Sequence, residues 1–186
     1  VAFRFKDTER LWRRGPSTRL VRRDENLLPF VCEQAEAGSS LLLDTCVYID
    51  QLQEKIPSTI ADLIAVRQVN HSAVAVQELM YAVGALDPAD PRSGPVVDQI
   101  GRMIEGMPRH RLHTPDTEVL AKAAVYAGML SRNQNYARDD RRRALNDCVL
   151  FLQAVKLGCT VLTRNIKDFD LLLQMCPPGR VLFYRV

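Results

Sequence analysis

The chain has 186 residues, 47% of them hydrophobic and 25% charged. This is the make-up of one globular domain with a core of its own; it excludes a disordered or fibrous chain, and no repeat or low-complexity segment occurs. The formal net charge of +3 excludes a general polycation, and no apolar stretch approaches the roughly 20 residues that cross a bilayer, so no membrane partner is expected.

The charge is uneven. Residues 1–23 carry eight lysines and arginines against Asp7 and Glu9, a local excess of +6 that leaves −3 for the remainder. Residues 1–38 therefore read as a basic N-terminal extension, partly disordered: a loose arm, a turn at Gly15-Pro16-Ser17 and a short helix near residues 33–37. Residues 39–186 read as the domain proper. Residues 1–30 lack the apolar core of a secretory signal. The five cysteines (Cys32, Cys46, Cys148, Cys159 and Cys176) form no Cys-x-x-Cys pair, which supports neither a zinc ribbon nor a disulfide framework. A reducing, cytoplasmic location is expected.

Leu41-Leu42-Leu43 is short and wholly apolar, the pattern of a strand buried on both faces of a parallel sheet. It ends on Asp44. Helix-like sequence follows, with Val47, Tyr48, Leu52 and Ile56 on one face as far as Pro57. Asp44 is either a helix cap or a group at the carboxyl edge of the sheet, where ligands collect in open α/β folds. Ser58 opens a second short helix. Residues 70–76 read as the second strand, running into a helix over 77–83. Residues 87–95, with three prolines, form a loop before a helix over 96–107. Residues 111–113 make a weak third strand, 116–131 a helix, and 132–143 an exposed polar loop. The clearest helix spans 144–157. There Leu145, Cys148, Val149, Leu152 and Val155 recur at three and four residues, and Gly158 supplies the stop. A fourth strand over 159–163, a short helix over 168–175 and a last strand over 180–184 complete the chain. Strands alternating with helices predict an α/β fold, a three-layer α/β/α sandwich with a central parallel sheet.

Four acids stand near element ends that this architecture gathers at one edge: Asp44 after the first strand, Glu78 just beyond the second, Asp147 in the first turn of the helix before the fourth, and Asp168 after the fourth. Carboxylates a few ångströms apart raise one another's pKa. A divalent cation relieves the repulsion. Mg²⁺ and Mn²⁺ prefer oxygen ligands and can activate water and stabilise an oxyanion in phosphodiester hydrolysis.

The set Leu-Leu-Asp-Thr at 42–45, Gln-Glu-Leu at 77–79, Leu-Asn-Asp at 145–147 and Thr-Arg-Asn-Ile-Lys-Asp-Phe at 163–169 resembles the PIN domain, and most of all the VapC toxins of bacterial toxin–antitoxin pairs. The match covers about residues 41–186, with the motifs in family order. The resemblance implies a Mg²⁺-dependent endoribonuclease, with Mn²⁺ as a substitute, that cuts RNA, is usually a homodimer and is inhibited by a cognate antitoxin. It makes Asp44 and Asp147 the direct metal ligands and Glu78 a further ligand or the group that orients water. The fourth position falls to Asp168 or to Asn165; Asp168 is the choice here, with Asn165 as a polar neighbour. Thr45, Thr163 and Asn146 are candidates to hydrogen-bond the carboxylates or a substrate phosphate, and Arg143 to hold the RNA backbone.

Other charged and aromatic residues carry blander expectations. Asp50, Asp62, Asp98 and Asp170 read as surface charge. His71, His110 and His113 lack metal spacing, and His113 reads as structural. The run Arg138-Asp139-Asp140-Arg141-Arg142-Arg143 reads as a solvated loop, with an RNA-backbone contact as the alternative. Tyr48, Tyr81 and Tyr126 read as core or interface residues rather than base-stacking platforms. No glycine-rich phosphate loop is present, against a P-loop or dinucleotide-binding protein. A receiver domain would need an early acidic pair that is missing. The remaining rival is a non-catalytic PIN-like module that binds nucleic acid or protein.

Overall fold

The computed structural model of the protein describes residues 3–31 and 38–186, so the short helix expected near residues 33–37 falls outside it. Successive residues of a strand point to opposite faces, and here both faces are covered. Leu42 enters one hydrophobic core while Leu41 and Leu43 enter the other. These three residues form β1 (Leu41–Leu43) at the centre of a five-stranded sheet. With β2 (Val69–Ser72), β3 (Leu112–His113), β4 (Thr160–Thr163) and β5 (Val181–Phe183), the order is β3-β2-β1-β4-β5. Every pairing is parallel, with Leu42 opposite Asn70 on one side and Val161 on the other. Helices α2 (Thr45–Leu52), α3 (Ser58–Val66), α4 (Ala73–Gly84) and α5 (Ser93–Glu105) line the core of one face. Helices α6 (Thr117–Gln134), α7 (Arg138–Leu157) and α8 (Ile166–Met175) line the other, and α1 (Phe5–Arg14) packs against α6. This is the expected α/β/α sandwich. Among the described residues, no helix is long and apolar enough to cross a membrane.

Several element boundaries differ from expectation: α5 begins at Ser93, inside the expected loop, α6 runs on to Gln134, and two further shifts bear on the site. The second strand stops at Ser72, whose hydroxyl accepts a hydrogen bond from the Val74 N–H at 3.1 Å and so caps α4. Ala73 to Val76 are helical, because a short apolar run does not by itself distinguish a buried strand from a buried helix. The polar stretch before residue 144 is not all loop. Helix α7 begins at Arg138, with its arginines facing solvent, so Asp147 lies in the middle of the helix and not in its first turn.

Residues 3–31 of the basic extension are docked rather than loose. Leu11, Leu20 and Phe30 pack against the core, and Leu28 is buried in it. Val31 N–H donates to the Phe183 carbonyl at 2.8 Å and Phe183 N–H to that of Pro29 at 2.9 Å, which covers the β5 edge of the sheet. Asp170, expected on the surface, is 0% exposed. It accepts hydrogen bonds from Arg23 through the backbone N–H at 2.9 Å and Nε at 2.7 Å. Asp50 is likewise buried, accepting from the Tyr184 hydroxyl at 2.7 Å and pairing with Arg164 Nε at 3.0 Å. Both corrections share a cause: the partner that makes burial tolerable comes from a distant segment.

Candidate active site

The chain leaves β1 for β2 and β3 on one side of the sheet, then returns to place β4 and β5 on the other. Such a reversal opens a crevice outside the carboxyl ends of the strands. A cavity of about 440 Å³ lies there, and Asp44, Thr45, Glu78, Arg143, Asp147, Asn165 and Asp168 all line it. Asp44 follows β1, Glu78 comes from α4, Asp147 from the middle of α7 and Asp168 from the first turn of α8. The four acids nominated from sequence therefore converge. Thr163, at the end of β4, lies fully buried against Asp44, and Asn146 lines an adjoining cleft.

Neutral donors fix the carboxylates. Asp44 Oδ1 accepts from the Thr45 N–H at 2.7 Å, and Oδ2 from the Thr163 hydroxyl at 2.6 Å and the Cys46 thiol at 3.1 Å. Asp44 is thus both the N-cap residue of α2, through Oδ1, and a group of the cavity wall whose Oδ2 is held by Thr163 and Cys46. Glu78 accepts from the Thr45 hydroxyl and from Asn146 Nδ2 at 2.8 Å. Asn165 Nδ2 reaches Asp147 at 3.1 Å and Asp168 at 3.2 Å, placing an amide between two like charges. Sequence left Asp168 and Asn165 as alternatives; both are in the pocket, and only Asp168 adds charge.

Burial and mutual repulsion favour the protonated forms of Asp147 and Asp44. Asp147 sits well above the ordinary carboxylate range, first because it is desolvated and then because Asp44, Asp168 and Glu78 surround it. Asp44 is raised by burial, against the hydrogen bonds from Thr163 and Cys46. Between the unfolded value of 3.8 and their raised folded values, the folded chain binds more protons than the unfolded one, so stability falls as pH rises through that window. In EDTA, the melting temperature is expected to be higher at pH 5 than at pH 7, and Asp147→Asn should flatten the difference. A melting temperature that rises with pH in both proteins would contradict this account.

Five lining residues, Cys46, Ile49, Tyr136, Asp140 and Lys167, were not among those nominated from sequence. Tyr136, in the α6–α7 connection, donates its hydroxyl to Asp168 Oδ1 at 2.5 Å. Burial and the Asp168 charge keep that phenol protonated. Lys167 Nζ stands 5.4 Å from the Tyr136 ring centroid. Cys46 lies against Asp44, and burial beside that charge pushes its thiol pKa up. Tyr136 had one signal, as the only aromatic residue in the polar stretch 132–143.

A scan against protein-family models finds no match, and a search of curated proteins finds none either. Solved structures do match. VapBC-1 from nontypeable Haemophilus influenzae aligns with a TM-score of 0.54 at 17% identity, over 77% of this chain and 96% of that one. VapBC2 from Rickettsia felis, bound to a DNA fragment from its promoter, gives 0.52 at 15%, over 78% and 98%. VapBC-5 from Mycobacterium tuberculosis, a member of the VapBC family of toxin–antitoxin systems, gives 0.52 at 20%, over 79% and 100%. The fold is PIN-like. At such identities the likeness establishes the PIN-like architecture alone, and the chemistry rests on the pocket.

The donor set suits a hard divalent cation: Asp44, Glu78, Asp140, Asp147 and Asp168 put five carboxylates in one cavity, with neutral partners on Asp44 and Asp147. Among the described residues, however, no three His, Cys, Asp or Glu side chains are grouped tightly enough to close on one ion. Mg²⁺ tolerates this, since it commonly takes one or two carboxylates and keeps several waters.

Proposed function

We propose that the protein is a Mg²⁺-dependent endoribonuclease and the toxin of a toxin–antitoxin pair. The observation that carries the reading is the convergence of Asp44, Glu78, Asp147 and Asp168 on one open cavity at the carboxyl edge of a PIN-like sheet. Asp44 and Asp147, the two acids whose protons are held by burial, would hold the ion, and Mn²⁺ would substitute for Mg²⁺. When bound, the ion would neutralise these carboxylates and the phosphodiester oxygens brought against them. Glu78, oriented by Thr45 and Asn146, is placed to accept a proton from the attacking water. Arg143 and Lys167 line the same cavity and would pair with the RNA backbone. Asn165 and Tyr136 keep Asp147 and Asp168 aimed inward.

A nuclease acting on shared cellular RNA needs restraint. The solved neighbours are VapBC complexes, which supports a cognate antitoxin as partner. A lysine or arginine from such a partner would be drawn to the repelling carboxylates and would compete with the metal. A homodimer is the proposed assembly.

Two measurements test the reading. Purified protein should cut single-stranded RNA with Mg²⁺ or Mn²⁺ and lose that cleavage in EDTA; full activity in EDTA would sink the metal mechanism. Expression of the wild type should slow growth, Asp147→Ala should not, and the product of the adjacent gene should restore growth. RNA binding without metal-dependent cleavage would instead favour the non-catalytic module.

A further inference from the structure

We infer that the cleft between α4 and α7 beside the acidic cavity is a stacking subsite for a base of single-stranded RNA, with Tyr81 and Arg142 as its platform. The inference rests on the ribonuclease reading and deepens it. Helices α4 and α7 meet through two successive rungs. Glu78 and Asn146 form the first, hydrogen-bonded at 2.8 Å. Three residues further along α4 and four back along α7, Tyr81 and Arg142 form the second, with the guanidinium carbon 4.3 Å from the ring centroid. The rungs are about one helical turn, or roughly 5.4 Å, apart.

A cleft of about 370 Å³ is lined by Gln77, Glu78, Tyr81, Arg142, Arg143 and Asn146. Glu78 and Arg143 also line the acidic cavity, so the two spaces adjoin. Tyr81 was expected in the core or an interface; it is not in the core, being 60% exposed even with Arg142 stacked on it. A tyrosine ring and a planar guanidinium are the two side-chain surfaces on which unpaired bases stack, and such stacking is indifferent to base identity. Arg138, Arg141, Arg142 and Arg143 are all exposed on the first turns of α7. The cleft thus opposes its cations to the anionic cavity beside it. A strand whose phosphate enters the acidic cavity passes Arg143 and can lay its neighbouring base on the Tyr81–Arg142 shelf. A base already stacked in a duplex cannot occupy the shelf, so the site selects single strands. Arg142 and Arg143 in the lining favour an anionic strand over an apolar protein surface as occupant.

The test compares full-length wild type, Tyr81→Ala and Tyr81→Phe. Affinity for fluorescein-labelled decaadenylate is measured by anisotropy in EDTA, and cleavage of the same RNA over a range of concentrations in Mg²⁺. Tyr81→Ala should weaken binding or raise KM by roughly tenfold, with kcat changed less than about twofold. Tyr81→Phe should stay near wild type because the ring remains. Binding of a duplex of the same length should not respond to either variant. Unchanged single-strand affinity and KM in Tyr81→Ala, with the wild type cutting normally, would overturn the shelf and leave the ribonuclease standing. A wild type that neither binds nor cuts this RNA would overturn both. A fall in oligomer mass of Tyr81→Ala with RNA affinity unchanged would assign the face to a second copy of the chain and also overturn the proposal. Because the ring is largely in solvent, the variant should fold, which circular dichroism checks directly.

Discussion

Asp147→Asn is expected to abolish RNA cleavage, by at least about 10³-fold in kcat, while making the metal-free protein more stable. Asp147 sits well above the ordinary carboxylate range, through desolvation and the three other carboxylates. A neutral isostere keeps the shape of the side chain and removes its repulsion with Asp44, Asp168 and Glu78. The same change removes a negative charge that would hold the cation. The effect separates cleanly by melting temperature. In the wild type, Mg²⁺ at about 100 times its dissociation constant should add roughly 2.7 kcal/mol by mass action. For a domain of this size that is a rise of about 5–10 °C. In Asp147→Asn the metal-induced rise should largely vanish, and the EDTA melting temperature should exceed that of the wild type at pH 7. An Asp147→Asn protein that cuts RNA at the wild-type rate, or responds equally to Mg²⁺, would remove Asp147 from the site.

Arg23→Ala is expected to cost about 2–3 kcal/mol of stability, from one residue in the basic extension. Asp170 is wholly buried in α8 and its charge is met by Arg23, at the far end of a 147-residue loop of chain. Removing one partner of a buried pair typically costs about 3–5 kcal/mol. The value here is smaller because Arg23 keeps a third of its side chain in water and because its backbone N–H and Gln174 still serve Asp170. Asp170→Ala added to Arg23→Ala should recover part of the loss, since the unpaired buried charge is then gone. Chemical denaturation of the two single variants and the double variant measures the coupling. Additive losses would mean that the pair does not interact in solution.

The extension also changes what deletion should do. From sequence, all four acids lie beyond residue 38, and deleting residues 1–38 should leave the cleavage chemistry intact with lower RNA affinity. The packing adds a cost. The deletion uncovers the β5 edge, strips Leu11, Leu20, Leu28 and Phe30 from the core, and strands Asp170. A full burial of one such side chain is worth about 1.5–3 kcal/mol, so the truncated chain should be markedly destabilised even where its active site is intact. Gly15 fits this docking: a Cβ there would fall 2.0 Å from the Met129 sulfur of α6.

What the sequence by itself determined was the parallel α/β architecture and the acids it converges. An apolar triplet ending on Asp44 can be satisfied only with cover on both faces, and β1 has both. Strands alternating with helices then bring Asp44, Glu78 and Asp168 to the carboxyl edge whatever the loop lengths between them. The helical period of residues 144–157 was equally legible, because its core positions repeat locally. What only the tertiary structure decided depends on contacts between distant segments. Asp50 and Asp170 look like solvated charges until Arg164, Tyr184 and Arg23 are seen beside them. Tyr136 offers only its isolation as an aromatic in a polar stretch until the α6–α7 connection lays its hydroxyl on Asp168. Tyr81 was read as a core or interface residue because an aromatic ring on a helix usually seeks apolar cover. The ladder between α4 and α7 fixes its real place, stacked with Arg142 at the edge of the acidic cavity. Periodicity records which face of an element is apolar; which charged or aromatic group finds a partner is set only when remote elements pack.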